Sequence, residues 1–195
     1  MFGLEKTKGW DEVMAHIITD LMLPKRLLEK FRTIFSANNM PTFTEELLLE
    51  ISPTLKSGAI EVDYDHKKYS KLIADRFPFT GSKIAWSRVP HSVQEIQSPQ
   101  DPISQCLRFM EQQLMRNAIS DDVAVAVIGD SAVECVFLTT VGSFREVAPS
   151  FLELPQHLYI IPSDAAWCMV FTMEGDMCFG NALPTPDSSP STPRD

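Results

Sequence analysis

Between Gln156 and Ala182 the chain sets three short apolar runs one after another: Leu158 to Ile161, Trp167 to Met173, and Met177 to Phe179. Pro162-Ser163-Asp164 separates the first two, and Glu174-Gly175-Asp176 separates the last two. Runs this brief, rich in β-branched and aromatic residues and broken by Pro, Gly and Asp, read as strands joined by turns. Gly175-Asp176 supplies the positive φ that a tight hairpin turn requires. Three strands in succession imply a sheet that the rest of the chain must extend and cover.

The stretches upstream fit that requirement. Val123 to Ile128 is an unbroken apolar run bracketed by Asp121-Asp122 and Gly129-Asp130, the pattern of a central strand buried on both faces. Val133 to Leu138 follows at hairpin distance, so an antiparallel pairing of the two is the simplest expectation. Asp101-Pro102 marks a helix start, with an N-cap residue and then proline at the first helical position. That helix carries Ile103, Cys106, Leu107, Met110, Leu114 and Ala118. Ser143-Phe-Arg-Glu146 has capping-box spacing and opens a short helix that contains Pro149. From residue 101 the predicted order is helix, strand, strand, helix, strand, strand, strand.

The first part of the chain carries helical periodicity instead. Apolar residues recur at Val13, Met14, Ile17, Ile18, Leu21 and Met22, and again at Leu27, Leu28, Phe31, Ile34 and Phe35. A third stripe, Leu47, Leu48 and Ile51, follows the capping box Thr42-Phe-Thr-Glu45 and stops at Ser52-Pro53. Ile60, Val62 and Tyr64 alternate with Glu61 and Asp63, as in a half-buried strand. His66 to Arg76 reads as a helix with Tyr69, Leu72 and Ile73 inward. Phe77 to Gly81 reads as a turn, Lys83 to Val89 as a strand-like piece, and Pro90 to Gln100 as a polar connection. The expected fold is α+β: N-terminal helices followed by a largely antiparallel sheet with packed helices. A single domain spans 1–182, with a helical part over 1–55 and the sheet over 59–182. Residues 183–195, mostly Pro, Ser, Thr and Asp, read as a flexible tail.

Charge is where composition becomes informative. Residues 1–100 hold 13 Lys+Arg and 13 Asp+Glu, whereas residues 101–195 hold 4 and 13, so the whole net charge of −9 falls in the second half. No lysine follows Lys83. Nucleic-acid binding by this half is not expected, because phosphate contacts require a basic face. An acidic face attracts a basic partner and speeds encounter with it. No apolar run reaches the roughly 18–20 residues needed to span a bilayer, and the N-terminal residues do not read as a signal peptide, so a cytoplasmic protein without a membrane is expected.

Catalytic signatures are missing: no nucleophile elbow, phosphate-binding glycine loop, Walker lysine or zinc-protease helix motif is present. The expectation is a protein that is not an enzyme and uses no cofactor and no metal. The four histidines, His16, His66, His91 and His157, are scattered. Cys106, Cys135, Cys168 and Cys178 lack metal-knuckle spacing and read as buried, reduced thiols. Two acidic groupings are candidate metal sites. Asp63 and Asp65 with Lys67 have the ingredients of a metal-dependent nuclease, but an exposed strand end explains them equally well. Asp121, Asp122, Asp130 and Glu134 lie at strand ends, where turn conformation alone favours Asp. As an interaction surface these four combine with Asp164, Trp167, Glu174 and Asp176, carboxylates around an aromatic, the combination that anchors a basic partner. Trp167 reads as core or as that anchor.

Tyr159-x-x-Pro162, Trp167, Thr172-x-Glu174-Gly175-Asp176 and Phe179-Gly180, together with Ile84-x-Trp86-x-x-Val89-Pro90 upstream, resemble segments of immunity proteins. These are the cytosolic antidotes of bacterial polymorphic and contact-dependent growth-inhibition toxins. The resemblance covers about 40 residues and transfers no binding residue by position. It implies that the chain neutralises a cognate toxin domain, a basic nuclease, by covering its active site with carboxylates. A stand-alone adaptor or regulatory module is the alternative, and a metal-dependent hydrolase the remote one.

Overall fold

A computed structural model describes residues 42–183. The two helical stripes expected between Trp10 and Phe35, and the tail beyond Leu183, lie outside the described residues. In chain order the elements are α1 (Phe43–Glu50), α2 (Ser52–Lys56), β1 (Ile60–Asp63), α3 (His66–Arg76), β2 (Phe79–Thr80), β3 (Lys83–Ile84), a 3-10 turn (Trp86–Arg88), β4 (Val93–Ile96), α4 (Pro102–Arg116), β5 (Ala124–Gly129), β6 (Val136–Thr140), α5 (Val141–Leu152), β7 (Leu158–Pro162), β8 (Trp167–Phe171) and β9 (Asp176–Asn181). Seven strands form one sheet in the order β1-β6-β5-β7-β8-β9-β4, with every neighbouring pair antiparallel. β2 and β3 make a separate two-stranded ribbon. The architecture is α+β, and the element order from residue 101 onward is the one the hydrophobic pattern predicts.

Alternation along each central strand divides its side chains between two cores. Val125 and Val127 of β5, Leu158 and Ile160 of β7, and Trp167, Met169 and Phe171 of β8 face one layer, where α1, α4 and α5 cover them. Ala126, Ile128, Tyr159, Ile161, Cys168 and Val170 face the other, covered by α3, the β2–β3 ribbon and the 3-10 turn. A two-sided core is why β5, β7 and β8 read as near-continuous apolar runs. Aromatic pairs fill the first layer: Phe151 lies edge-on to Phe137 at 4.9 Å and to Phe144 at 5.6 Å, and Phe109 edge-on to Phe171 at 6.1 Å.

Both arms of the Thr42 capping box are made: Thr42 N donates to Glu45 Oε2 at 2.7 Å, and Glu45 N donates to Thr42 Oγ1 at 3.4 Å. The other two caps need correction. Asp101 precedes α4 in the left-handed region (φ 55) and makes no side-chain cap; the Gln105 side chain ties that loop instead, accepting from Ser98 N at 2.8 Å and donating to Ser98 O at 3.1 Å. α5 begins three residues before the expected box, because Thr140 accepts from Ser143 N at 3.2 Å. Lys83 to Val89 is not one strand but a two-residue β3 followed by the 3-10 turn.

The expected polar connection contains β4, an edge strand paired with β9. Its residues Val-Gln-Glu-Ile carry no period-2 pattern, since Val93 packs on the core while Ile96 stands 79% exposed. Pairing with β9 through backbone groups alone makes it a strand. Gly175 takes φ 96 in the β8–β9 turn as the sequence requires, and the strands on either side pair Cys168 with Gly180 and Val170 with Cys178.

Candidate functional site

The sheet has two ends, and the antiparallel register assigns each candidate residue to one of them. Gly129 of β5 lies opposite Leu158 of β7, which lies opposite Phe171 of β8. Asp130, Glu134, Glu174 and Asp176 therefore gather at one end. Asp121, Asp122 and Asp164 lie at the other, beside the start of β5 and the β7–β8 turn. At ~3.3 Å per residue, Asp122 and Asp130 are about 26 Å apart along the direction of β5. The eight candidates do not form one face. Trp167 is 7% exposed, its ring stacked on Phe179 at 5.8 Å, so it belongs to the core and not to an exposed anchor.

At the second end the carboxylates serve local structure. Asp121 Oδ1 accepts from Arg145 Nη1 at 2.8 Å, and Arg145 Nε also donates to Glu111 at 2.5 Å, so Arg145 ties α4, α5 and the entry to β5 together. Asp122 accepts a hydrogen bond from the Ser120 hydroxyl, which holds its carboxyl below the usual range. Asp164 Oδ1 accepts from Ala166 N at 3.0 Å inside the β7–β8 turn.

At the first end a charge chain crosses the sheet. His157 is buried, with Nδ1 3.1 Å from Asp130 Oδ2 and Nε2 2.8 Å from Glu174 Oε2. Glu174 Oε1 pairs with Lys83 Nζ at 2.9 Å. A neutral imidazole has one N–H, so both histidine contacts are hydrogen bonds only in the imidazolium form. The Lys83 ammonium, assisted by a backbone hydrogen bond and by His157, holds the Glu174 carboxyl down at about 2. Asp130 Oδ1 further accepts from His157 N and from Ser131 Oγ, both at 3.0 Å. Asp176 N donates to Thr172 Oγ1 at 2.9 Å, closing the hairpin turn. Glu134 N donates to Thr44 Oγ1 at 3.2 Å, docking the β5–β6 connection on α1.

Next to this chain the surface opens into a cleft of about 260 Å³ between the start of α4, the end of α5 and the β8–β9 turn. Ile103, Cys106, Phe151, Leu154, Phe171 and Met173 supply its apolar lining. The sequence names Asp130 and Glu174 of this site but not His157, Lys83 or the cleft. His157, Asp130 and Lys83 are far apart in the chain, and the cleft residues belong to four separate elements, so no local spacing announces either. Gln156, at the cleft floor, is buried, and its Oε1 accepts from Ala132 N and Val133 N, both at 3.1 Å.

Asp63 and Asp65 of the nuclease-like grouping serve local structure. Asp63 Oδ1 accepts from Asp65 N at 2.8 Å and Oδ2 from Tyr69 Oη at 2.9 Å, contacts that hold its carboxyl below the usual range. Asp65 caps α3 through Lys68 N at 3.2 Å. Among the described residues no three His, Cys, Asp or Glu side chains are grouped to hold a metal ion. All four cysteines are free and buried, and burial pushes Cys106 up to about 11 and Cys135 and Cys178 up to about 12.

The segment that holds Trp86 and Val89 packs on the last strand at its glycine: a Cβ on Gly180 would lie 2.6 Å from Val89 Cγ1 and 3.1 Å from Trp86 Cζ3. Comparison with protein-family models, with curated proteins and with solved structures finds no match to this chain. No helix among the described residues is long and apolar enough to cross a membrane.

Proposed function

We propose that this protein is an inhibitor of the immunity type, which binds a cognate basic toxin domain and occludes its active site. The end of the sheet formed by Asp130, Glu134, Glu174 and Asp176 is the binding end. The observation that carries the reading is the state of the cations in the acidic half. After residue 100 the chain holds 4 Lys+Arg against 13 Asp+Glu, and Arg145 is already engaged by Glu111 and Asp121. At the proposed end Lys83 and His157 stand against Asp130, Glu134, Glu174 and Asp176, so among the described residues acidic groups outnumber basic ones there. A local excess of carboxylates at the end of a sheet steers a cationic partner and competes with phosphate for its groove.

Co-expression with the product of the adjacent upstream gene tests the proposal. Co-purification that survives low salt and weakens at high salt, together with loss of the toxin's nuclease activity in the complex, is the expected outcome. A neighbour without toxin activity, or no complex at low salt, overturns the reading.

A further inference from the structure

The cleft beside the β8–β9 turn has the chemistry of an anchor pocket. Its lining is mostly apolar, with Gln97, Gln156 and Thr172 as the polar members. All three are already engaged within the fold: Gln156 Oε1 accepts from Ala132 N and Val133 N, Gln97 Oε1 lies 3.3 Å from Cys106 Sγ, and Thr172 Oγ1 accepts from Asp176 N at 2.9 Å. Burying the pocket therefore strands little hydrogen-bonding capacity, which favours an apolar occupant.

Its rim extends the apolar surface outward. Met173 is 63% exposed. Gln97 N donates to Gly175 O at 2.8 Å, so the end of β4 and the hairpin turn move as one piece. Among the described residues around this apolar centre, acidic ones outnumber basic ones, with the Lys83 ammonium, paired to Glu174 at 2.9 Å, as the counter-charge. Asp101 directly precedes Pro102, Glu153 sits between Leu152 and Leu154, and Glu174 directly follows Met173. No lysine or arginine is an immediate chain neighbour of any lining residue. An apolar centre whose lining residues have acidic chain neighbours suits a cationic surface with one protruding apolar side chain.

We infer that this cleft receives an apolar or aromatic side chain flanked by Lys or Arg on a protein partner. The inference rests on the inhibitor reading for the identity of that partner, but the pocket can be tested without it. The probe is the amidated tripeptide Lys-Trp-Lys, titrated into the ¹³C-methyl-labelled protein, with Lys-Ala-Lys and Glu-Trp-Glu as controls. The expected result is saturable shifts at the Ile103, Leu154 and Met173 methyls, at least tenfold weaker for either control. Met173→Lys, a surface change, and Leu154→Trp, which fills the cleft, each weaken binding at least tenfold; thermal melting establishes that each variant is folded. Shifts confined to the Asp121 and Asp164 end, or equal response to all three peptides, overturn the inference. The toxin of the adjacent gene separates the two proposals. If it binds the wild type and Met173→Lys equally well, the cleft is not its anchor and the inhibitor reading stands. If it does not bind at all while Lys-Trp-Lys still fills the cleft, the inhibitor reading fails and the pocket stands.

Discussion

His157 and Gly180 show how single residues fix this structure. His157 lies between two carboxylates from different connections, so it links the loop after β5 to the β8–β9 turn. Glu174 closes the link on Lys83, and its carboxyl is held at about 2 against an ordinary 4.5. A depressed carboxyl stabilises the fold fully above its unfolded value, and that contribution disappears as pH falls from about 4.5 towards 2. Glu174→Gln is therefore less stable than wild type at neutral pH, and the difference closes over that window in urea melts taken at successive pH values. The group is exposed, so the effect is modest and shrinks further in salt. Gly180→Ala acts through packing instead. Its methyl would sit 2.6 Å from Val89 Cγ1, a short branched side chain in the core, and overpacking of this kind costs about 1–3 kcal/mol. Urea denaturation at fixed pH measures it, and an unchanged midpoint would show that the 3-10 turn yields freely.

At the scale of elements, what was legible depends on which groups carry the information. β5, β7 and β8 are apolar on both faces, and α3 and α4 have clear stripes, so their side chains declare them. β4 is held by the backbone of β9 and carries a polar edge sequence, so nothing in its side chains distinguishes it from a loop. Phe109, fully buried on α4 and edge-on to Phe171, is absent from the helical stripe read from the sequence because its partner lies 62 residues away in β8. The cap of α5 is the instructive case. Thr140 and Ser143 are both competent N-cap residues three positions apart, and the sequence alone favours Ser143 because Glu146 completes a box. The end of β6 decides otherwise, since pairing of Thr140 with Ala124 leaves the chain extended there and free to turn at the next residue. Thr140→Ala is expected to cost about 1 kcal/mol, as for other lost N-caps, whereas Ser143→Ala should stay within about 0.5 kcal/mol. Paired thermal melts distinguish the two, and equal losses would place the cap elsewhere.

For the whole molecule, the charge asymmetry of the sequence becomes a question of which end of the sheet is used. The candidate carboxylates were legible as residues, but their division between two ends depends on strand direction, which composition does not encode. The proposed binding end carries the cleft and the exposed side chains Glu95, Glu134 and Glu153; the other end carries Asp122 and Asp164. A basic partner feels both ends only at low salt, where the Debye length is about 30 Å at 0.01 M; at physiological ionic strength it is about 8 Å and the farther end is screened. Close contact belongs to one. Neutralising either end should thus slow association at low salt, while only the contacting end should also speed dissociation. Glu134→Gln combined with Glu153→Gln is expected to raise the dissociation rate of the toxin complex several-fold. Asp122→Asn combined with Asp164→Asn, which keeps the Asp164 turn contact available through the amide oxygen, should leave that rate unchanged. Surface-bound kinetics at 50 and 300 mM salt separate the two effects. A dissociation rate that responds to the Asp122 and Asp164 pair instead would move the interface to the opposite end of the sheet.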